Sequence, residues 1–178
     1  MNKPITSMIL AIGNAGGNIV EAISRDSKFS EQSNVQYVFA DCNDDDLKKR
    51  EAVGVKIVLL DSCIDSFPAD VFKNVSKLII VAGLGGQTGT KFVELATIAA
   101  KDSGIDNVIV VATIPFVFEG DNRLQYAVST AQRLSAISGL KLSVFNNEEL
   151  LTKYSDLNFF NAFEAADKEI SDIIVNLA

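Results

Sequence analysis

The eight residues Gly83-Leu84-Gly85-Gly86-Gln87-Thr88-Gly89-Thr90 carry four glycines and two threonines, between the apolar run Leu78 to Ala82 and an amphipathic run ending near Asp102. Glycine admits positive φ and lets the backbone come close to a ligand. The free amides of a helix start, beside the hydroxyls of Thr88 and Thr90, suit phosphate oxygens. A tight turn needs fewer glycines, so this composition points to phosphate binding by Gly85, Gly86, Gln87, Thr88, Gly89 and Thr90. A second stretch, Gly13-Asn14-Ala15-Gly16-Gly17-Asn18, follows the apolar run Ser7 to Ile12. It falls one residue short of the dinucleotide fingerprint G-x-G-x-x-G, and by itself it reads equally well as a plain strand-to-helix turn. Four aspartates stand in the six residues Asp41 to Asp46. An acidic residue at the end of a second strand holds a ribose hydroxyl in dinucleotide-binding folds, although a solvated turn is the commoner meaning of such a run. The EF-hand spacing of Gly and a distant Glu is missing. Arg123 falls in the first turn of an expected helix, where a cation opposes the helix dipole unless an anion binds nearby.

Composition narrows the chemistry further. The 178 residues are 48% hydrophobic and 22% charged, the balance of a globular chain with a substantial core. A net charge of −7 argues against general nucleic-acid or anionic-membrane binding. A local phosphate site remains compatible with that charge, because backbone amides supply the positive end. There is no histidine, which removes imidazole acid–base catalysis, Ser-His-Asp triads and most transition-metal sites. Cys42 and Cys63 are the only cysteines and form no C-x-x-C pair, which fits a reduced compartment. Met1 to Ile12 lacks a signal-peptide layout, and no apolar stretch reaches the roughly 18 residues of a membrane span. The expectation is a soluble, cytoplasmic protein.

These residues need elements to hold them. Apolar runs predict strands at Ser7–Ile12, Val35–Ala40, Val55–Leu60, Lys77–Ala82, Asn107–Thr113 and Leu140–Phe145. Helical spacing predicts helices from Ile19 to about Asp26, from Gly83–Thr90 to about Asp102 with Gly104 as its stop, from Asp121 to Ser138, and from Asn158 to Leu177. Ser27 to Ser33 reads as polar loop, Leu47 to Arg50 as a helical turn, and Pro68 as the opening of a small helix. Six strands with intervening helices predict an α/β fold: a doubly wound, mostly parallel six-stranded sheet with helices on both faces, forming one domain over residues 1–178. In such a sheet both glycine stretches, the Asp41 turn, the loop Ile114 to Gly120 and the turn at Asn147 follow strands, so they gather at the carboxyl edge where ligands bind.

In that order the residues resemble the N-terminal nucleotide-binding domain of the FtsZ/tubulin-like GTPase family, from Met8 to about Ile174. Gly83 to Thr90 resembles the signature loop G-x-G-G-G-T-G-T, and Gly13 to Asn18 resembles the family's first glycine loop. Thr113 to Arg123 resembles the motif T-R-P-F-x-F-E-G-x-x-R, and Ala162 to Asp167 resembles A-F-x-x-A-D. The resemblance implies GTP or GDP as the ligand. Gly13, Asn14, Gly16, Gly17 and Asn18 would serve with the signature loop, Glu119 would meet the ribose, and Arg123 would lie along the nucleotide. Asn147 and Asp167 would read guanine, since a carboxylate accepts from guanine N1–H and its exocyclic amine and so rejects adenine. Mg²⁺ and either self-association or a filament partner are compatible with the same resemblance.

The departures have consequences of their own. Gln87 replaces a signature glycine, Lys91 stands where the family has a small residue, Ile114 replaces a basic residue, and Asp41-Cys42-Asn43 stands near an expected Asn-Thr-Asp. Lys91 would reach a phosphate or point to solvent. The segment between Leu60 and Lys77 is short and holds no glycine where the family has a further loop meeting the γ-phosphate. The family's water-activating carboxylates lie beyond the position matched by Ala178. The resemblance therefore implies guanine-nucleotide binding in a cell-division or cytoskeletal protein, with weak or absent GTP hydrolysis by these residues in isolation and no catalytic residue among them. The alternative is a vestigial interaction module that docks on a division or filament protein without nucleotide, favoured by Gln87 and Asn43. An oxidoreductase or methyltransferase using only Gly13 to Asn18 leaves Gly83 to Thr90 and Phe116 to Arg123 without a task.

Overall fold

The computed structural model describes residues 6–25, 34–51, 55–153 and 158–177; the expected loop from Ser27 to Ser33 lies outside them. Strand β1 (Thr6–Ile12) passes directly into helix α1 (Gly13–Ser24). There follow β2 (Val35–Asp41), α2 (Asp44–Glu51), β3 (Lys56–Leu59) and a 3₁₀ turn at Ala69–Phe72. Next come β4 (Val75–Gly83), α3 (Gln87–Asp102), β5 (Asn107–Ile114), a second 3₁₀ turn at Val117–Glu119 and α4 (Asp121–Ser135). The chain closes on β6 (Lys141–Asn146), α5 (Asn147–Lys153) and α6 (Phe159–Leu177). Every strand pairing is parallel, in the order β3-β2-β1-β4-β5-β6. This is the doubly wound α/β sheet expected from the apolar runs.

Alternation along the strands divides the core in two. Met8, Leu10 and Ile12 of β1 join Leu78, Ile80 and Ala82 of β4 against Phe92, Val93 and Ala96 of α3. The intervening residues Ile9, Ala11, Ile79 and Val81 face Ile19, Val20 and Ile23 of α1 and Ile170 and Ile174 of α6. Burial on both faces is why these strands read as unbroken apolar runs rather than as alternating ones. Gly104, beyond the end of α3, has φ +83° and donates its N–H to the Lys101 carbonyl at 2.9 Å, which makes it the expected helix stop.

The largest departure from expectation lies at the two glycine stretches. Neither is an extended loop: α1 begins at Gly13 itself, and only Leu84, Gly85 and Gly86 separate β4 from α3. The physical reason is packing. A Cβ on Gly16 would stand 2.3 Å from the Val81 carbonyl oxygen, and one on Gly89 would stand 2.3 Å from the Gly83 carbonyl oxygen. These two glycines let both helices start flush against β4. Chain direction across the sheet reverses between β1, which leads to β2, and β4, which leads to β5. At such a switch point the strand ends diverge and leave a crevice at the carboxyl edge.

Candidate functional site

The crevice is a cavity of about 510 Å³. Its floor is made by two helix starts. Gly13, Asn14 and Ala15 of α1 line one side, and Gln87, Thr88 and Gly89 of α3 line the other. Gly13, at φ +74°, lies so near α3 that an added Cβ would be 3.2 Å from the Gly89 nitrogen. The first amides of a helix lack intrahelical acceptors and carry the positive end of its dipole. Neither start has a side-chain cap, and neither has an acidic residue in its first turn. Two uncapped positive ends therefore converge on one space, an arrangement suited to a multiply charged anion.

The far end of the cavity is built differently. Asn147 opens α5 and is buried; Asp167 and Phe163 stand four residues apart on α6, hence on one face of that helix. Among the described residues, three buried side-chain polar atoms have no hydrogen-bond partner: the Tyr37 hydroxyl, Asn107 Oδ1 and Asn147 Oδ1. Only the last belongs to a residue on this cavity. An unpaired buried amide oxygen is costly unless a ligand or water meets it. Burial, with a smaller contribution from Glu164, pushes the Asp167 carboxyl up to about 6. Phe163 packs edge-to-face on Phe116 at 4.9 Å and leaves part of its ring exposed. Phe116 itself is buried with Leu150, Ala162 and Ala166, a small cluster that fixes α6 beside α5.

Between the two ends, Glu119 accepts from the Phe116 amide at 2.9 Å through one oxygen and pairs with Arg123 at 3.2 Å through the other. Its carboxylate thus closes the 3₁₀ turn and holds Arg123, half-exposed, at the rim. Glu148 accepts from the Val117 amide at 3.0 Å and ties α5 to the same turn. Lys91 points neither into the cavity nor to open solvent: its ammonium bonds the Ser62 carbonyl at 2.7 Å and Asp65 at 2.8 Å, strapping the segment after β3 onto α3.

Of the residues singled out from sequence, Gly13, Asn14, Asn18, Gly86, Gln87, Thr88, Gly89, Glu119, Arg123, Asn147 and Asp167 all meet on this cavity. Gly16, Gly17, Gly85 and Thr90 do not line it. Gly16 packs on β4, and the Thr90 hydroxyl accepts from the Gly85 amide at 2.8 Å, which closes the turn before α3. Asp41, Asn43 and Asp46 also line the cavity, from the β2 end and the start of α2. Asp41 accepts from the Asn43 amide at 3.2 Å, and Asp46 pairs with Lys49 at 3.1 Å.

No family model matches the chain. In sequence it is 39% identical over 114 residues to the cell division protein FtsZ of Pseudomonas putida, a match covering 60% of this chain and 28% of that protein. In structure it is similar to an FtsZ dimer of M. jannaschii, with a TM-score of 0.75 and 21% identity over 96% of this chain and 53% of that one. It is also similar to CetZ2 of Haloferax volcanii, solved as a GTPγS-bound protofilament, with a TM-score of 0.70 and 18% identity over 97% and 58% of the two chains. Its sequence is thus similar to part of FtsZ, and its fold to the nucleotide-binding half of FtsZ/tubulin-like structures. It spans about half the length of these solved relatives and 28% of the sequence relative.

One polar residue behind this cavity has no role in the sequence analysis. Arg50, in the last turn of α2, is buried behind α1, where its guanidinium meets Glu21, Asn14 and Asn18. The sequence reads Leu47 to Arg50 as a helical turn and assigns Arg50 no further role. The signal that sets Arg50 apart is Gly17, whose missing Cβ would stand 2.5 Å from the Arg50 Cζ.

Proposed function

We propose that this FtsZ-like chain is a guanine-nucleotide-binding module of a cell-division or cytoskeletal assembly protein. The observation that carries the reading is one cavity with two unlike ends. Two uncapped helix starts at one end suit the diphosphate, while the orphaned Asn147 Oδ1 and the Asp167 carboxylate at the other suit a base edge rich in N–H donors. Phe163 offers a ring against which that base stacks. The volume, about 510 Å³, is that of a small-molecule site. Among the described residues no group of three His, Cys, Asp or Glu side chains gathers as a metal site. A Mg²⁺ here would take most of its oxygens from phosphate and water, with Asp41 and Asp46 on the cavity as the nearby carboxylates. The chain's own part is binding and orientation, and hydrolysis is expected to be weak or absent in these residues alone.

Isothermal titration tests the reading: GDP should bind with ADP much weaker, and no detectable GDP binding at millimolar ligand would sink it. The rival reading, an interaction module without nucleotide, draws on Gln87, whose exposed side chain stands on the cavity at the start of α3. A crystal grown in excess GDP with Gln87 folded into the phosphate end would support that rival.

Asp167 makes binding depend on pH. Guanine needs the ionised carboxylate, and the free carboxyl titrates at about 6. GDP affinity should therefore be flat above neutrality and fall as pH drops through about 6, approaching tenfold per unit, with a proton released on binding near pH 6. ADP affinity should not follow. Calorimetry in buffers of different ionisation enthalpy reads the proton directly. The stability of the free fold runs in the opposite sense. A carboxyl that keeps its proton to about 6 when folded, against 3.8 ordinarily, makes its contribution in full below 3.8 and loses it as pH rises through 6.

Glu119→Ala should leave base choice alone, because Glu119 holds the 3₁₀ turn and Arg123 rather than the base end. We expect GDP and ADP affinities to weaken together by about tenfold, the worth of one charge-assisted contact. A changed GDP-to-ADP ratio in competition titrations would contradict this division of labour.

A further inference from the structure

We propose that Arg50 is a positioning residue that turns the side-chain amides of Asn14 and Asn18 so that both present N–H donors to the cavity. The Arg50 Nη2 lies 2.9 Å from Asn14 Oδ1, 2.9 Å from Asn18 Oδ1 and 3.3 Å from the Asn14 carbonyl. A guanidinium has donors and no acceptor, so each asparagine must offer it oxygen and keep its Nδ2 for the other side. Both asparagines line the cavity; Arg50 itself does not.

The seat is built from three sides. Nη1 is held by Glu21 Oε2 at 2.9 Å, the guanidinium carbon lies 5.2 Å from the centroid of the Phe39 ring, and Gly17 leaves the space that the guanidinium fills. Arg50 is only 8% exposed and lies off the cavity, paired with a Glu21 carboxylate that also meets Arg25, so its contribution to a ligand is orientation. For the ligand, this adds two fixed donors beside α1 to the acceptors Asp167 and Asn147 Oδ1. A molecule seated here must then carry acceptors along one edge and donors along another. That consequence rests on the guanine-nucleotide reading; the orientation of the amides does not.

Two variants separate position from fold. Gly17→Ala places a methyl where the guanidinium sits. The obstructing group is the far end of a flexible side chain, and alanine favours a helix interior over glycine. Melting temperature should fall less than for a clash with backbone, because the helix gain of alanine offsets part of the lost guanidinium contacts, while Arg50 is displaced. Arg50→Met removes the donors and keeps an apolar stem on Phe39. In both variants the Asn14 and Asn18 side-chain NH₂ signals in ¹⁵N spectra of the free chain should move toward solvent-averaged shifts, and GDP should bind about tenfold more weakly. Unmoved amide signals in both variants overturn the proposal whatever the ligand does. Moved signals with GDP affinity unchanged overturn it as well, since the fixed donors would then serve no contact. Absence of GDP binding in the unmodified chain overturns the nucleotide reading instead, and the amide signals still decide whether Arg50 sets the asparagines.

Discussion

Asp167→Asn should cost the site its preference for guanine. Two charge-assisted bonds to the base would give way to one acceptor and one mismatched donor, a loss of about 2–4 kcal/mol, which is roughly 30- to 1000-fold in GDP dissociation constant. The same exchange should raise affinity for xanthosine diphosphate. Xanthine carries a carbonyl where guanine carries its amine, and the new Nδ2 donates to it. Competition titration of GDP, ADP and xanthosine diphosphate against both chains reads all three directions at once. Asp167 is partly buried against Glu164 with its carboxyl held up to about 6, so the neutral amide should not weaken the free fold. Equal GDP affinity in both chains would show that Asp167 does not read the base.

Gly89→Ala should damage fold and site together. The new Cβ would stand 2.3 Å from the Gly83 carbonyl, and unlike the guanidinium opposite Gly17 that obstacle is backbone at the end of a central strand. α3 would have to lift from β4, taking Gln87 and Thr88 away from α1. Overpacking of this kind costs about 2–3 kcal/mol, or roughly 4–12 °C in melting temperature for a chain of this size. Circular dichroism melts of Gly89→Ala and Gly17→Ala side by side should show a larger fall in the first than in the second. Equal melts would mean that α3 does not start flush against the strand.

The contrast between these two glycines also shows what a sequence holds. The six apolar runs were legible because a parallel sheet buries both faces and its strands lose their polar alternation. Asn147 and Asp167 stand out in the sequence only through the resemblance of their segments to family motifs, and the fold brings both to the cavity. The facing of individual glycines was not legible. Gly16, Gly17, Gly85 and Gly89 are chemically identical, and only the neighbours brought by the fold decide which meets backbone, which meets a guanidinium and which lines the cavity. Arg50 was hidden for a related reason. Its partners Glu21 and Asn14 lie 29 and 36 residues earlier, beyond the reach of any local pattern. Lys91 was left between two readings because its partners, Ser62 and Asp65, lie in a connection without regular structure.

For the nucleotide proposed here, the origin of the positive potential at the helix starts sets the path of approach. Arg123 is paired with Glu119, and Arg50 lies off the cavity on a Glu21 shared with Arg25, so the attraction comes from two helix starts whose field fades within about one turn. The chain around them carries −7. A diphosphate anion therefore approaches against the long-range field and is captured only at contact. Its encounter is unsteered: added salt would speed arrival by screening the repulsion, and residence would be set by short-range bonds that salt hardly touches.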